Sequence, residues 1–245
     1  MAVSDIQEAT DTTEAPKKGA SKKPAIISLT RVGKTFYRGK ERLDVLKDLD
    51  LEIAEDSFEA LMGPSGSGKS TLLNLIAGLD TATAGSVKIG GTDIGQLSEG
   101  QRAGWRAATI GFVFPTYNLM PVLSAVENVE LPLLLTSVPA SERRKRAEIA
   151  LEVVGLKERM GHFPRQLSGG QEQRVTIARA IVTDPKIIVA DEPTGDLDSD
   201  SANDILNLLE RLNKEFNKTI VMVTHDPAAA ERAQVQLKLD KGALV

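Results

Sequence analysis

The sequence has no cysteine and only two histidines among its 245 residues. Disulfide bonds, thiol catalysis and cysteine-based zinc sites are therefore excluded, and a histidine-rich metal site has too few ligands. No stretch approaches the ~20 apolar residues that a membrane helix needs, and the polar N-terminus lacks the apolar core of a signal peptide. These absences predict a chain that is made and kept in the cytoplasm.

The chain also lacks an excess of positive charge, since 30 lysines and arginines face 34 aspartates and glutamates, for a net charge of −4. A protein that coats nucleic acid is usually basic, so we expect no nucleic acid partner. Hydrophobic residues (41%) and charged residues (26%) are as frequent as in ordinary globular proteins. A chain of this length is therefore expected to bury a sizeable core, in one or two domains.

The pattern of apolar residues divides the chain into a tail and an α/β domain. Residues 1–24 carry too little apolar surface to offset the entropy of ordering them, which predicts a disordered tail. Residues 25–54 alternate with a period of two, which predicts antiparallel strands with one wet face. Further on, short apolar runs typical of buried strands alternate with helical patterns, which predicts a parallel sheet covered by helices. We expect these strands at 58–62, 86–90, 109–114, 187–190 and 219–224, a mostly helical segment at 122–160, and further helices at 70–77, 171–183 and 201–216.

A glycine-rich segment, Gly63–Ser70, lies between a predicted strand and a predicted helix and fits the pattern G-x-x-x-x-G-K-[ST]. Glycines let the backbone curl so that successive N–H groups point at an anion, and the helix N-terminus adds its positive dipole. Lys69 supplies a mobile cation for the β- and γ-phosphates, and Ser70 offers a hydroxyl to Mg²⁺. The segment therefore predicts a binding site for nucleotide phosphates.

Two adjacent acids, Asp191 and Glu192, end the predicted strand 187–190. The C-terminal ends of parallel strands face the crevice where α/β proteins bind ligands. Successive strand residues point in opposite directions, so the two carboxylates are expected to have different roles. Asp191 is the expected Mg²⁺ partner, through water, and Glu192 is placed to polarise the attacking water. Alone, such a pair is also typical of acids that cap the next helix, and the phosphate loop favours the first interpretation.

The segment 167–171, Leu-Ser-Gly-Gly-Gln, opens another predicted helix. The Ser168 hydroxyl, the N–H groups of Gly169 and Gly170 and the helix N-terminus together predict a second anion site. One nucleotide can use both anion sites if two chains pair head to tail, each covering the ATP of the other. The alternative interpretation is a helix cap with a glycine turn.

These motifs resemble those of the ATP-binding cassette (ABC) ATPases, and the resemblance covers essentially all of residues 25–243. It implies an α/β fold, in which a P-loop NTPase (RecA-like) core carries an N-terminal antiparallel β subdomain and an inserted α-helical signature subdomain at about 115–168. It also implies an ABC ATP-binding domain that hydrolyses ATP with Mg²⁺. A homodimer that closes on ATP and opens after hydrolysis is expected.

The resemblance further implies roles for single residues. His225 matches the switch histidine of the family, which contacts the γ-phosphate and, with Glu192, holds the water; without the resemblance, a structural role is equally supported. An aromatic ring that stacks on adenine is expected ahead of the phosphate loop, with Phe36 as first choice and Tyr37 as second. Glu192 and His225 are thus the expected catalytic residues, and Ser70 and Asp191 the metal ligands. The expected nucleotide-binding residues are Phe36, Gly63, Pro64, Ser65, Gly66, Ser67, Gly68, Lys69, Ser70, Thr71, Ser168, Gly169, Gly170, Gln171 and Asp198.

One departure from the family pattern concerns the residue after the strand at 111–114. The family usually has glutamine there, which reaches Mg²⁺ and the water, whereas this chain has Pro115 followed by Thr116. Proline has no side-chain oxygen, and Thr116 is short and one position late. The hypothesis is that hydrolysis is slowed or its coupling altered.

Residues 114–133 are similar to the lipoprotein-release and macrolide-export group (LolD/MacB type). ATPases of that group pair with integral membrane permeases, so the implied function is to power a separate permease in export or in lipoprotein or lipid extraction. The implied location is peripheral, at the cytoplasmic face of the inner membrane. Residues 115–137 are the expected permease-docking surface, although the run Leu131–Leu135 is also typical of core.

A signalling or structural ABC ATPase, which regulates a cell-wall hydrolase or an antibiotic-sensing complex, is the alternative, and Pro115 slightly favours it. Family members that act on nucleic acid or ribosomes carry long coiled-coil insertions or two cassettes. The 99-residue interval from Lys69 to Ser168 leaves no room for a coiled-coil insertion, and this chain has one cassette, so both classes are disfavoured.

Overall fold

The computed structural model describes residues 23–39 and 41–245, so the predicted tail lies outside the described residues except for Lys23 and Pro24. The described residues form two β-sheets and seven α-helices. The strands are β1 (Ala25–Arg38), β2 (Glu41–Ala54), β3 (Phe58–Met62), β4 (Ala84–Ile89), β5 (Thr92–Asp93), β6 (Ile110–Val113), β7 (Ile187–Asp191), β8 (Thr219–Val223), β9 (Val235–Asp240) and β10 (Ala243–Leu244). The helices are α1 (Lys69–Ile76), α2 (Glu99–Thr109), α3 (Ala125–Glu130), α4 (Ala140–Val153), α5 (Gly169–Ile181), α6 (Ser199–Phe216) and α7 (Pro227–Ala230).

The N-terminal part of the chain forms a four-stranded antiparallel sheet in the order β2-β1-β4-β5. Leu29 of β1 pairs with Leu51 on one side and with Val87 on the other, and all three are buried. Their neighbours Ser28, Glu52 and Lys88 alternate with them at intermediate or exposed positions. The period of two in the sequence therefore has its expected cause, a sheet with one wet face.

The second sheet has six strands in the order β10-β9-β3-β8-β7-β6. Five of them, from β9 to β6, run parallel, and β10 pairs with β9 in the antiparallel sense. Since β3, β7 and β8 are neighbours that run parallel, their C-terminal ends meet at one edge. This edge brings together the phosphate loop after β3, the acids after β7 and the loop after β8.

Both faces of the parallel sheet are covered. Ile188 and Ala190 of β7 pack into a core shared with α3 to α7. Ile187 and Val189 of the same strand pack on the opposite face, into a core formed with α1 and the antiparallel sheet. A strand buried on both faces has no wet side, which explains the continuous apolar runs that predicted these strands.

The element boundaries differ from the predicted ones where a cap decides them. The helix expected from 171 begins at Gly169, because Ser168 is its N-cap, and the helix expected from 201 begins at Ser199, because Asp198 is its N-cap. The mostly helical segment 122–160 contains α3, α4 and a short 3₁₀ turn at Leu131–Leu135. Sequence patterns missed α2 and the strands β5, β9 and β10.

Candidate functional site

The segment Gly63–Ser70 forms the loop between β3 and α1. Gly63 has a φ of 151°, and a Cβ on it would lie 2.1 Å from the backbone oxygen of Leu239, so only glycine fits there. Gly68, with a φ of 105°, is the N-cap residue of α1 and brings no side chain to cap the first turn. The first N–H groups of α1 are therefore available to an anion.

Lys69 reaches back across this loop. Its Nζ donates to the backbone oxygens of Gly63 (2.8 Å) and Pro64 (2.9 Å), and the residue is 8% exposed. The Ser67 hydroxyl is buried in the same loop and has no hydrogen-bond partner among the described residues. A buried ammonium held by two neutral carbonyls and a buried orphan hydroxyl both suit the phosphate oxygens of a nucleotide. The loop therefore fits the group that the sequence predicts.

Asp191, the last residue of β7, lies beside the first turn of α1. The Ser70 hydroxyl donates to Asp191 Oδ1 at 3.5 Å. Burial raises the pKa of the Asp191 carboxyl, and the hydrogen bond from Ser70 opposes the shift. No group of three or more histidines, aspartates and glutamates forms a metal cage in the described part of the chain. Ser70 and Asp191 together offer only a few protein oxygens, a set that suits Mg²⁺ when phosphate oxygens complete its coordination.

The next residue, Glu192, adopts a φ of 46° where the chain leaves β7, and its N–H donates to the backbone oxygen of Val223 at 2.9 Å. Such a conformation is rare for glutamate and is typical of functional sites. Glu192 Oε2 lies 2.7 Å from His225 Nδ1. The imidazole nitrogen donates in this bond, so the other carboxylate oxygen stays available to a water molecule.

Glu192 and His225 line an open cleft of about 370 Å³ between the loop after β7 and the start of α6. The His225 side chain is 69% exposed and the Glu192 side chain 33%. A carboxylate base beside open space has room for a reacting water. The other lining residues include Thr194, Leu197, Asn203 and Thr224.

Ser168 begins α5 with a capping box. Its hydroxyl oxygen accepts from the N–H of Gln171 at 3.3 Å, and Gln171 Oε1 accepts from the N–H of Ser168 at 3.1 Å. The Gln171 side chain is thereby engaged within its own helix turn. The groups that remain for an anion are the N–H groups of Gly169 and Gly170 and the Ser168 hydroxyl.

The loop after β6 and the first turn of α6 pack tightly against these glycines. A Cβ on Gly169 would lie 2.8 Å from the Tyr117 hydroxyl, and one on Gly170 would lie 3.0 Å from Ser201 Oγ. Asp198 accepts hydrogen bonds from the N–H (2.9 Å) and the hydroxyl (2.8 Å) of Ser201. These bonds hold the pKa of Asp198 below its usual range. Ser201 is hydrogen-bonded to Asp198 and packs against Gly170, so the structure places Asp198 beside the segment 167–171.

Phe36 and Tyr37 lie near the end of β1, and both rings are exposed, by 41% and 69%. Lys34 Nζ lies 4.8 Å from the centroid of the Phe36 ring, a cation–π contact that holds one face of the ring. The neighbouring strand β2 packs against Gly68 of the phosphate loop through Val45. An exposed ring therefore lies on the sheet that borders the phosphate loop.

The loop after β6 begins at Phe114 and Pro115. Arg179 of α5 holds it by donating to the backbone oxygens of Tyr117 (3.0 Å) and Asn118 (2.7 Å). Burial lowers the pKa of this guanidinium. Pro115 is exposed and brings no side-chain oxygen to the site. The backbone of this loop is thus hydrogen-bonded to α5, the helix that Ser168 caps.

Sequence reasoning missed Gln173, which is 1% exposed in α5. Its Nε2 donates to the backbone oxygen of Pro193 at 2.7 Å, and its Oε1 accepts from the Thr176 hydroxyl at 2.9 Å. Gln173 therefore fixes the loop that follows Glu192. The available signal was a polar residue on the apolar face of a helix, where a buried amide needs partners.

Residues 46–195 match the family model described as ABC transporter. The chain belongs to this family. It is 47% identical over 220 residues to the macrolide export ATP-binding/permease protein MacB 1/2 of Paracoccus denitrificans, covering 90% of this chain and 33% of that protein. It is 44% identical over 219 residues to the lipoprotein-releasing system ATP-binding protein LolD of Legionella pneumophila, covering 89% and 96%. The chain thus spans about a third of the MacB relative and nearly all of the LolD relative.

Among solved structures, the dimeric post-hydrolysis state of the ATP-binding cassette MJ0796 bound to ADP and Pi matches with a TM-score of 0.82 and 44% identity. The match covers 89% of this chain and 96% of that one. The predicted P-loop NTPase fold and the predicted family are therefore confirmed. The chain is an ATP-binding and ATP-hydrolysing subunit of the ABC transporter family. Within residues 23–39 and 41–245, no helix is long and apolar enough to cross a membrane.

Proposed function

We propose that this chain powers a separate membrane permease of the macrolide-export or lipoprotein-release type. ATP closes a head-to-tail homodimer of the chain, which works as a peripheral subunit at the cytoplasmic face of the inner membrane. The proposal rests on one observation above all: the phosphate loop, Asp191 and the Glu192–His225 pair lie together at the C-terminal edge of the parallel sheet. The MacB and LolD relatives support the choice of permease.

The loop from Gly63 to Thr71 binds the phosphates of ATP. Lys69 exchanges the carbonyls of Gly63 and Pro64 for the β- and γ-phosphates, a stronger, charge-assisted set of partners. The backbone N–H groups at the start of α1 complete the cradle. Phe36 stacks on the adenine, and Lys34 on its ring leaves the other face for the base.

Ser70 and Asp191 would hold Mg²⁺. The ion would supply positive charge to offset that of the phosphates, and these two residues would hold it beside the phosphate loop. The pKa of Asp191 is raised because burial disfavours the charged form of its carboxyl. A cation beside the carboxylate would stabilise that charged form and so take the place of the proton.

Glu192 accepts the proton of the attacking water on the carboxylate oxygen that His225 does not use. His225 keeps the carboxylate oriented through Nδ1 and presents its exposed ring edge toward the γ-phosphate position. The Gln173 bond to Pro193 keeps this turn rigid, so the base is positioned before the substrate arrives.

In a head-to-tail pair, the segment from Ser168 to Gln171 of each chain faces the nucleotide held by the other. The N–H groups of Gly169 and Gly170 and the Ser168 hydroxyl bind the phosphates from that side. Asp198, which Ser201 ties to this segment, then lies at the dimer interface. The dimeric MJ0796 cassettes support this arrangement.

An apolar surface on residues 115–137 is the proposed permease-docking site. The run Leu131–Leu135 was predicted either to dock a permease or to belong to the core. Leu133 lies in the core and is 1% exposed, whereas Leu134 and Leu135 are 56% and 80% exposed. Met120 and Val122, in the loop ahead of α3, are also exposed, by 48% and 74%, and exposed apolar side chains within one short segment are candidates for an interaction site. We define this docking patch by its four members, Met120, Val122, Leu134 and Leu135.

The test is the Mg²⁺-dependent ATPase activity of the wild type beside Glu192→Gln, with size-exclusion chromatography in ATP. Loss of the base is expected to lower kcat by about 100-fold or more and to trap an ATP-bound dimer, because glutamine keeps the shape but accepts no proton. Asp200→Asn, an exposed change on α6, is the matched control and should turn over normally. Equal turnover in Glu192→Gln and wild type would remove Glu192 from the mechanism.

The alternative, a signalling ATPase that regulates a cell-wall hydrolase or an antibiotic-sensing complex, is favoured slightly by Pro115 in place of the glutamine. Affinity purification of the chain from membranes of its host distinguishes the two. A retained permease with a large extracytoplasmic domain supports the proposal, whereas a retained wall hydrolase supports the alternative.

A further inference from the structure

A second cavity of about 370 Å³ lies in a groove between the C-terminal parts of α4, α5 and α6. At its end, Asp184 and Lys218 precede β7 and β8, so the groove opens at the N-terminal edge of the parallel sheet. The ATP site lies at the opposite edge, after Asp191 and Val223. The groove is therefore separate from the catalytic machinery. Its floor is apolar and consists of Ile149, Ala150, Val153, Ile181, Val182, Leu212 and Phe216.

The floor of the groove is not fully covered by the described residues. Ile149 is 52% exposed and Phe216 is 44% exposed, although most of the larger apolar side chains of α4 and α6 are buried. Burying apolar side chains such as these is favourable. A partner that covers this groove would therefore be stabilised by removing them from water.

The rim of the groove is positively charged. Arg146 and Lys218 line the groove and pair with Glu142 and with Asp184, which lines it too. Two further cations of α4 lie one helical turn ahead of groove residues, three positions before Arg146 and four before Ile149. In the part of the chain that the structure describes, no ion pair involves these two cations, Arg143 and Lys145.

The start of the described chain lies next to this groove. Lys23 Nζ lies 2.9 Å from Asp56 Oδ2. The Asn213 side-chain amide donates to the backbone oxygens of both Asp56 (3.0 Å) and Lys218 (2.8 Å), and Lys218 lines the groove. Residues 16–22 can span up to about 23 Å, at roughly 3.3 Å per extended residue, which is ample for the chain ahead of them to reach the groove.

The chain ahead of this point has the complementary chemistry. Residues 1–15 contain four acids and no lysine or arginine, whereas residues 16–23 contain four lysines and no acid. The acids recur every third residue, and two aliphatic side chains lie close to the first of them, Val3 before Asp5 and Ile6 after it. An acidic segment with aliphatic side chains matches an apolar groove with a basic rim.

We propose that residues 1–15 of this chain bind the groove between α4, α5 and α6. The acids Asp5, Glu8, Asp11 and Glu14 meet the basic rim, and Val3 and Ile6 cover the apolar floor. The bound segment bridges α4, which belongs to the helical segment 115–168, and α6, which packs on the parallel sheet. The bound segment therefore restrains α4 against α6 without touching the ATP site.

The test uses the full chain, whose lack of cysteine allows a single nitroxide label at Ala9→Cys. Methyl NMR spectra are recorded with the label oxidised and then reduced by ascorbate. We expect the methyl signals of Ile149, Ile181 and Leu212 to lose most of their intensity only while the label is paramagnetic. Leu43 on β2 and Leu79 after α1 should keep theirs.

The matched control carries the label together with Asp5→Asn, Glu8→Gln, Asp11→Asn and Glu14→Gln, and it should restore most of the groove signals. Broadening at Met120 and Leu134 instead of the groove would overturn the proposal, because the segment then binds the docking patch. Broadening that appears only when labelled chains are mixed with isotope-labelled, unmodified chains would assign the groove to a second copy. The absence of broadening at all three groove residues would also overturn it.

Discussion

At the scale of single residues, Glu59 is unusual because it is a carboxyl inside β3, 5% exposed and outside the proposed mechanism. Its neighbours on the sheet are Val221 and Val235, and the Ser57 hydroxyl lies 3.2 Å from its Oε1. Burial raises the pKa of Glu59 to about 7, from an ordinary value of 4.5. The folded protein therefore binds a proton at this position more tightly than the unfolded chain does.

This shift predicts a pH dependence of stability. The contribution of Glu59 to the free energy of unfolding is fully present below about pH 4.5 and falls as the pH rises to about 7, by about 2–3 kcal/mol in all. Glu59→Gln stays neutral, so relative to the wild type it should gain stability between pH 5 and pH 8. Urea unfolding at both pH values measures this gain.

The exposed Glu52→Gln on β2 is the control and should follow the wild type at both pH values. If Glu59→Gln and the wild type lose stability in parallel, Glu59 does not bind this extra proton.

Pro115 stands where the resemblance to the ABC ATPases implies a glutamine, and it allows a gain-of-function test. Pro115→Gln restores a side-chain oxygen at an exposed position, so the variant should raise kcat by about tenfold and shift the Mg²⁺ dependence. Steady-state ATPase assays over a Mg²⁺ titration measure both. Thr116→Gln, one position later, should not reproduce the gain, and an unchanged kcat and Mg²⁺ dependence in Pro115→Gln would refute the hypothesis.

At the scale of elements, α3 depends on a buried amide. Asn128 is 0% exposed, and its Nδ2 donates to the backbone oxygens of Met120 (3.1 Å), Leu123 (3.0 Å) and Ser124 (3.0 Å). Its Oδ1 accepts from the Met120 N–H at 2.7 Å. One side chain therefore holds the loop that begins the proposed docking patch against its helix.

Removing this amide should be costly. Asn128→Ala leaves several buried backbone groups without partners, so we expect the free energy of unfolding to fall by about 2–4 kcal/mol. Chemical denaturation measures the change. Asn203→Ala, which removes one exposed bond from Asn203 to Ser199 in α6, should stay within about 0.5 kcal/mol of the wild type. A similar cost for both variants would contradict the role given to Asn128.

At the scale of the whole molecule, the ATP site and the docking patch belong to different parts of the chain. Arg179 and Tyr117 connect them, because Arg179 holds the loop after β6 and Tyr117 packs on Gly169. A permease bound at the patch therefore has a short physical route to the segment 167–171. This connection matches the proposed transmission of work from ATP closure to a permease.

The docking patch can be tested without altering the core. Leu135 is 80% exposed, so Leu135→Asp should leave the thermal unfolding midpoint nearly unchanged and should abolish co-purification with the permease. Leu43→Asp, a 61% exposed position on β2, is the matched control and should retain the permease. Retention of the permease by Leu135→Asp would exclude Leu135 from the interface.

Much of this protein follows from local sequence chemistry. The glycines of the phosphate loop, the serine cap of α5 and the strands buried on both faces are all visible as short patterns. The serine caps of α2 and α3 follow the same pattern but were not recognised from the sequence. Each of these features depends on residues within a few positions of one another, so local backbone geometry determines it. The strands β5 and β10 were missed because two residues are too few to show a period. The six residues of β9 do alternate, with Val235, Leu237 and Leu239 as the apolar positions, but this signal was overlooked.

The sequence by itself determined the family, the parallel core and the candidate residues of the ATP site. Only the tertiary structure decided that Ser70 meets Asp191 across 121 positions, that His225 meets Glu192 across 33, and that Leu133 is buried beside exposed Leu134. It also decided that Glu59 is buried without a cation. The physical reason is that strand order and helix packing set these contacts, and both depend on residues far apart in the chain.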